Sequence, residues 1–176
     1  MNLTKHLLAA VVLVVAGSAS VAEAPTAKVK ARLGEKTIAL LDGATKVEAF
    51  RIDGRARAGD KAIAGFRITG TGKEQGKQFA GRLSAALQQE KTLFGKPAHC
   101  FVPGVAFRVW KGEESVVVLV CFVCKNLRLV VIDARGVEQP GVSGAFRPGL
   151  GPLFALAKVA FPKDKEIQAL AEKKSP

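Results

Sequence analysis

With 176 residues, 48% hydrophobic and 24% charged, the chain has the composition of a folded domain rather than of a disordered or collagen-like segment. Its 27 Lys and Arg against 15 Asp and Glu give a formal net charge of +12, which favours anionic partners and says nothing about fold. Tyr is absent and Trp110 is the only tryptophan, so the basic residues lack the aromatic platforms on which single-stranded nucleic acid stacks, and nucleic acid is set aside as a partner.

The first 22 residues have the three-part layout of a secretory signal peptide. Lys5 precedes an apolar core at 7–16, and Gly17-Ser18-Ala19-Ser20-Val21-Ala22 supplies small residues ahead of a cut after Ala22, with Ala24 as the rival position. A core of about ten residues falls short of the roughly 20 needed to span a bilayer. No cysteine follows it to carry a lipid. The expectation is an exported protein, periplasmic or extracellular, whose mature chain has no transmembrane span. Removing Lys5 leaves 26 basic against 15 acidic side chains, a net +11. In that compartment the charge points to anionic envelope components such as lipid headgroups or lipopolysaccharide.

Residues 23–36, rich in Ala, Lys and Pro with no period, read as a flexible basic entry segment, and 37–176 as a single α+β domain. Residues 47–52 and 63–69 are short apolar and polar mixtures bounded by Gly and Asp, in the manner of strands, with a loop at Asp53-Gly54 and Gly59-Asp60 between them. From Gly76 the period changes. Phe79, Leu83 and Leu87 recur every four residues beside Ala80 and Ala86, which predicts one main helix closing near Lys91 and ended by Gly95 and Pro97.

Val105, Phe107 and Val109 then alternate with Ala106, Arg108 and Trp110, and a polar turn at 111–114 leads into 116–123. That run is apolar on both parities, the mark of a central strand covered on both faces. Lys125-Asn126 supplies a turn into another strand at 127–132, and 133–151, with Gly136, Pro140, Gly141, Gly144, Pro148 and Gly149, reads as a long surface loop. Helices are expected near 152–160 and, frayed, near 164–173. The sum is an antiparallel sheet of about five strands, in the order ββαβββ, packed on one main helix with C-terminal helices.

The chemistry-bearing residues are His99-Cys100 and Cys121-Phe-Val-Cys124. If 111–114 is a four-residue turn, Trp110 stands opposite Ser115, paired positions sum to 225 and Cys100 lands within a residue or two of Cys124; a two-residue turn shifts the sum by two and moves Cys100 toward Val123. Pro103 interrupts the ladder and blurs the partner. Three chemistries follow. A disulfide from Cys100 to Cys124, or to Cys121, closes a loop worth roughly 3 kcal/mol in the chain-entropy model. A zinc site would use Cys100, Cys121, Cys124 and His99, four N and S ligands that must reach one metal from a loop. Thiol redox exchange is the third, weakened because a strand rather than a helix N-terminus follows Cys124.

No catalytic set assembles, and the expectation leans away from an enzyme and from any bound cofactor other than zinc. Gly70 to Gly76 is one residue too long for a phosphate loop, and Gln78 stands where Ser or Thr would hold magnesium. His99 is the only histidine after the leader, and no G-x-S-x-G surrounds Ser84, Ser115 or Ser143.

Cys100-Phe-Val-Pro103 and Cys121-Phe-Val-Cys124, with the hairpin between them and the C-terminal helix, resemble a group of uncharacterised exported bacterial proteins that carry a C-F-x-P segment and a later C-F-x-C. The resemblance spans residues 37–170 and implies a shared architecture and compartment, with no activity attached. Those proteins place a basic residue and a His just after the Pro, where Gly104 and Val105 stand here.

Overall fold

A computed structural model describes residues 24–57, 61–96, 99–139, 141–146 and 150–171. The expected leader at 1–22 lies outside them, as do 172–173, the end expected for the last helix. The described residues form an α+β structure of six helices and one nine-stranded sheet, in which all strand pairs are antiparallel. The α+β class matches the expectation, whereas the count of about five strands on one main helix is too small.

The centre of the sheet is β1 (Lys46–Arg57), β5 (Val105–Lys111), β6 (Glu114–Cys121) and β7 (Asn126–Ile132). β2 (Ala62–Ile63) and β3 (Phe66–Thr71) extend it beyond β1, while β4 (Gln75–Gly76) also pairs with β1. β8 (Glu138–Gln139) and β9 (Ser143–Ala145) pair with β7 inside the segment expected to be a loop. Ala145 and Phe146 there are 2% and 0% exposed, so that segment contributes to the core. Strands of two or three residues are too short to show an alternating pattern, which is why composition reads them as loop.

β6 is buried on both sides, as its continuous apolar run requires. Val116, Val118 and Val120 face the helical layer, and Val117 and Leu119 face a second cluster with Ile52, Ile63, Ala106 and Ile132. That second cluster is covered by the molecule's own edge. Phe66 of β3 and Phe101 ahead of β5 meet edge to face with ring centroids 6.4 Å apart.

The helical layer is built from α1 (Ala27–Leu33), α2 (Glu35–Asp42), α3 (Lys77–Leu87), α4 (Glu90–Leu93), α5 (Leu150–Ala160) and α6 (Lys165–Gln168). α3 buries the predicted face of Phe79, Ala80, Leu83, Ala86 and Leu87. It stops before Lys91 because Gln89 takes an extended backbone, with φ −86° and ψ 137°, and α4 is a separate turn. Ser84 and Gln88 donate side-chain hydrogen bonds to one carboxylate oxygen of Asp42, which locks the end of α3 to the end of α2.

Within the segment expected as a flexible entry, residues 24–36 carry α1 and the start of α2. Thr26 caps α1 by accepting a hydrogen bond from the Val29 amide, and Val29 and Leu33, four residues apart on one helical face, join the main core. Gly34 turns the chain between α1 and α2 with φ 77°, a backbone region that an L side chain disfavours, and its N–H bonds the Lys30 carbonyl.

Candidate functional site

The hairpin register runs from Lys111 opposite Glu114 to Val105 opposite Val120, so every pair sums to 225. One residue further, the Gly104 amide still donates to the Val120 carbonyl at 3.1 Å, and the Gly104 carbonyl accepts from Ile52 at 3.2 Å. Pro103 then ends the ladder, and the chain from 99 to 102 passes beside the opposite end of the hairpin. There a disulfide joins Cys100 and Cys124, with Cα atoms 6.0 Å apart.

The neighbouring turn explains how two cysteines three residues apart both reach this corner. β6 ends at Cys121, which pairs with Asn126 across residues 122–125. On a continuing strand Cys121 and Cys124 would point to opposite faces. The turn instead lets the Cys124 amide donate to Cys121 Sγ at 3.1 Å. Lys125 closes it with φ 57°, and its carbonyl accepts from the Phe146 amide at 3.0 Å. Asn126 Nδ2 donates to the Cys100 carbonyl at 2.9 Å, a second tie between the loop and the hairpin.

Of the four residues considered as zinc ligands, two are therefore joined to each other. Cys121 is a free thiol with 0% exposure, and His99 is exposed on the loop. Among the described residues no group of three His, Cys, Asp or Glu side chains is placed to hold a metal. The strand β7 follows the turn directly, so no helix begins in the chain after the C-x-x-C.

A cleft of about 420 Å³ opens next to the disulfide. His99, Cys100 and Phe101 line it from the loop, Asn126 and Arg128 from β7, Ser143 and Gly144 from β9, and Arg32 from α1. Arg32 donates to the Ser143 carbonyl at 2.6 Å. The Arg128 guanidinium lies over the Phe101 ring at 4.8 Å, and Lys28 lies over Phe94 at 4.4 Å. Among the described residues no carboxylate lines the cleft. The chain itself contains no Asp or Glu at 91–112 or at 115–132. Among the described residues, Arg32, Lys125 and Arg128 form no ion pair.

No known protein family, curated protein or solved structure matches the chain.

The same end of the molecule exposes apolar side chains. Val123 at the turn is 90% exposed, Val102 40% and Phe94 37%. Phe122 beside Val123 is anchored inward on Phe146 and Phe154, with ring centroids 6.3 and 5.1 Å apart. Among the described residues no helix is long and apolar enough to cross a membrane.

A second polar cluster occupies the outer face of β1, β5 and β6. Trp110 Nε1 donates to Glu48 at 2.7 Å, the Arg108 guanidinium stacks on the Trp110 ring at 3.8 Å, and Arg108 Nε donates to Ser115 at 3.0 Å. Burial pulls the Arg108 pKa down, against the attraction of Glu48. Every group here has a partner, which fits a sheet-stabilising network.

The sequence reading singled out the cysteines and His99 but passed over Arg32, Lys125 and Arg128 as site residues. The signal that marks Lys125 and Arg128 is the stretch without acids around them, read together with the hairpin fold that brings 94–96, 99–102 and 122–128 to one end, whereas Arg32, three residues before Glu35, carries no such signal.

Proposed function

We propose that the protein is an exported binding protein, rather than an enzyme, and that it engages anionic envelope components through the end that carries the disulfide. The observation that carries this reading is the combination at that end of cations that form no ion pair among the described residues with exposed apolar side chains: Arg32, Lys125 and Arg128 beside Phe94, Val102 and Val123. Cations bring the surface to an anionic layer and apolar side chains hold it there. The disulfide, the Asn126 hydrogen bond and the packing of half-buried Phe122 on Phe146 and Phe154 hold loop and turn, so little conformational freedom is lost on contact. The leader at 1–22 and the resemblance to exported proteins with C-F-x-P and C-F-x-C segments belong to the same reading. A disulfide suits an oxidising compartment.

Sedimentation with lipid vesicles tests it. The protein is expected to pellet with phosphatidylglycerol vesicles at low salt, to be released by high salt, and to ignore phosphatidylcholine vesicles. Failure to bind the anionic vesicles at low salt refutes the reading.

A further inference from the structure

The cleft beside the disulfide differs from the surrounding surface in being walled as well as charged. Leu93, Phe94, Phe101 and Leu127 give it apolar sides, and Arg32 and Arg128 reach its edge from α1 and β7, elements almost a hundred residues apart in the chain. Its volume of about 420 Å³ is in the range of small-molecule sites, roughly 300–1,000 Å³. A guanidinium carries five N–H donors in a planar fork that matches a phosphate or carboxylate. Stacking on Phe101 holds the plane of Arg128 while leaving its edge available, and Arg32 has one bond to the Ser143 carbonyl among those donors.

We propose that this cleft binds a single-chain anionic amphiphile, with Arg32 and Arg128 on the headgroup and the alkyl chain against Phe94, Phe101 and Leu127. The proposal rests on reading the disulfide-bearing end as an anion-binding face, and names the ligand class of a cleft there. An inorganic anion would leave the apolar wall facing water. A neutral amphiphile would leave the guanidinium forks without acceptors.

The probe is dodecyl phosphate below its aggregation concentration, titrated into the full protein by calorimetry and by amide NMR, with inorganic phosphate and dodecyl maltoside as comparisons. One molecule per chain is expected to bind, with amide shifts gathered at Arg32, Asn126, Arg128 and Ser143, and with both comparison compounds weaker by about tenfold or more. Arg32→Gln and Arg128→Gln should each weaken binding about tenfold, the loss of one charge-assisted hydrogen bond, and Arg128→Lys should fall between wild type and Gln. Both side chains are exposed, and unchanged melting curves will show that the variants fold. Absence of saturable dodecyl phosphate binding, equal binding of dodecyl maltoside, or full affinity in the Arg32→Gln, Arg128→Gln double variant would each overturn the proposal. Vesicle binding without a response to dodecyl phosphate sinks the cleft and leaves the surface reading. Dodecyl phosphate binding by a protein that ignores anionic vesicles does the reverse.

Discussion

At Cys121 the chain leaves the sheet, and that departure sets the roles of all three thiols. Cys124 moves out of strand geometry and meets Cys100, while Cys121 stays buried as an acceptor for the Cys124 amide. The bridge spans 24 residues of sequence, for which chain entropy predicts about 3 kcal/mol of stabilisation. The Cys100→Ala, Cys124→Ala double variant should lose about that amount in urea unfolding. A reductant should lower the wild-type midpoint, and a chelator should leave it alone. A midpoint that falls with the chelator and ignores the reductant would restore the zinc site at Cys100, Cys121, Cys124 and His99.

Glu48 gives the residue scale its pH dependence. Burial opposes its charge, but the Trp110 indole N–H, Lys46 and Arg108 outweigh that penalty and hold its carboxyl below the ordinary value of 4.5. The folded-state pKa is therefore depressed. The stabilisation is present above the unfolded pKa and disappears as pH falls through the lower folded value. Glu48→Gln keeps an acceptor for Trp110 and removes the charge. It should cost about 1 kcal/mol at neutral pH, with the gap to wild type closing below the ordinary carboxyl pKa. Urea midpoints of both proteins across pH measure it, and a gap that stays constant into acid would contradict it.

Elements with a strong period were legible in the chain and short ones were not. The four-residue recurrence of Phe79, Leu83 and Leu87 marks α3, while the β5–β6 register depends on taking 111–114 as the turn; Lys111 in fact pairs with Glu114 across a two-residue turn, with the same sum of 225. That register brought Cys100 to the neighbourhood of Cys124 before any coordinates. α1 escaped because seven residues hold only two core contacts, Val29 and Leu33, amid alternating Lys and Arg. β8 and β9 escaped because two or three residues carry no period, and the cleft escaped with them, since one wall of it is Ser143 to Ala145 and another is Arg32. The docking of α1 is open to a direct test. Leu33 is 3% exposed, so Leu33→Ala should destabilise the protein by about 2–4 kcal/mol, measured by urea unfolding. A value near zero would mean that 23–36 is a loose tail after all, and the cleft would lose its Arg32 wall.

Across the whole molecule the excess of positive charge matters less than where acids are missing. Near Glu114, at the start of β6, Lys36 is paired with that carboxylate at 2.8 Å. At the other end of β6, Lys125 forms no ion pair among the described residues. The eight residues of β6 separate the two ends by about 26 Å, at roughly 3.3 Å per residue. That is about three Debye lengths at physiological salt, where the screening distance is about 8 Å. A charge at one end is therefore nearly invisible to a surface held at the other. Lys36→Gln and Lys125→Gln each remove one positive charge and lower the net charge equally, yet only the second should weaken binding to phosphatidylglycerol vesicles. A cation near an anionic membrane contributes about 1 kcal/mol, so the expected loss for Lys125→Gln is about fivefold, against less than about twofold for Lys36→Gln. Equal losses would mean that the net charge alone drives the contact and that the disulfide-bearing end has no special part in it.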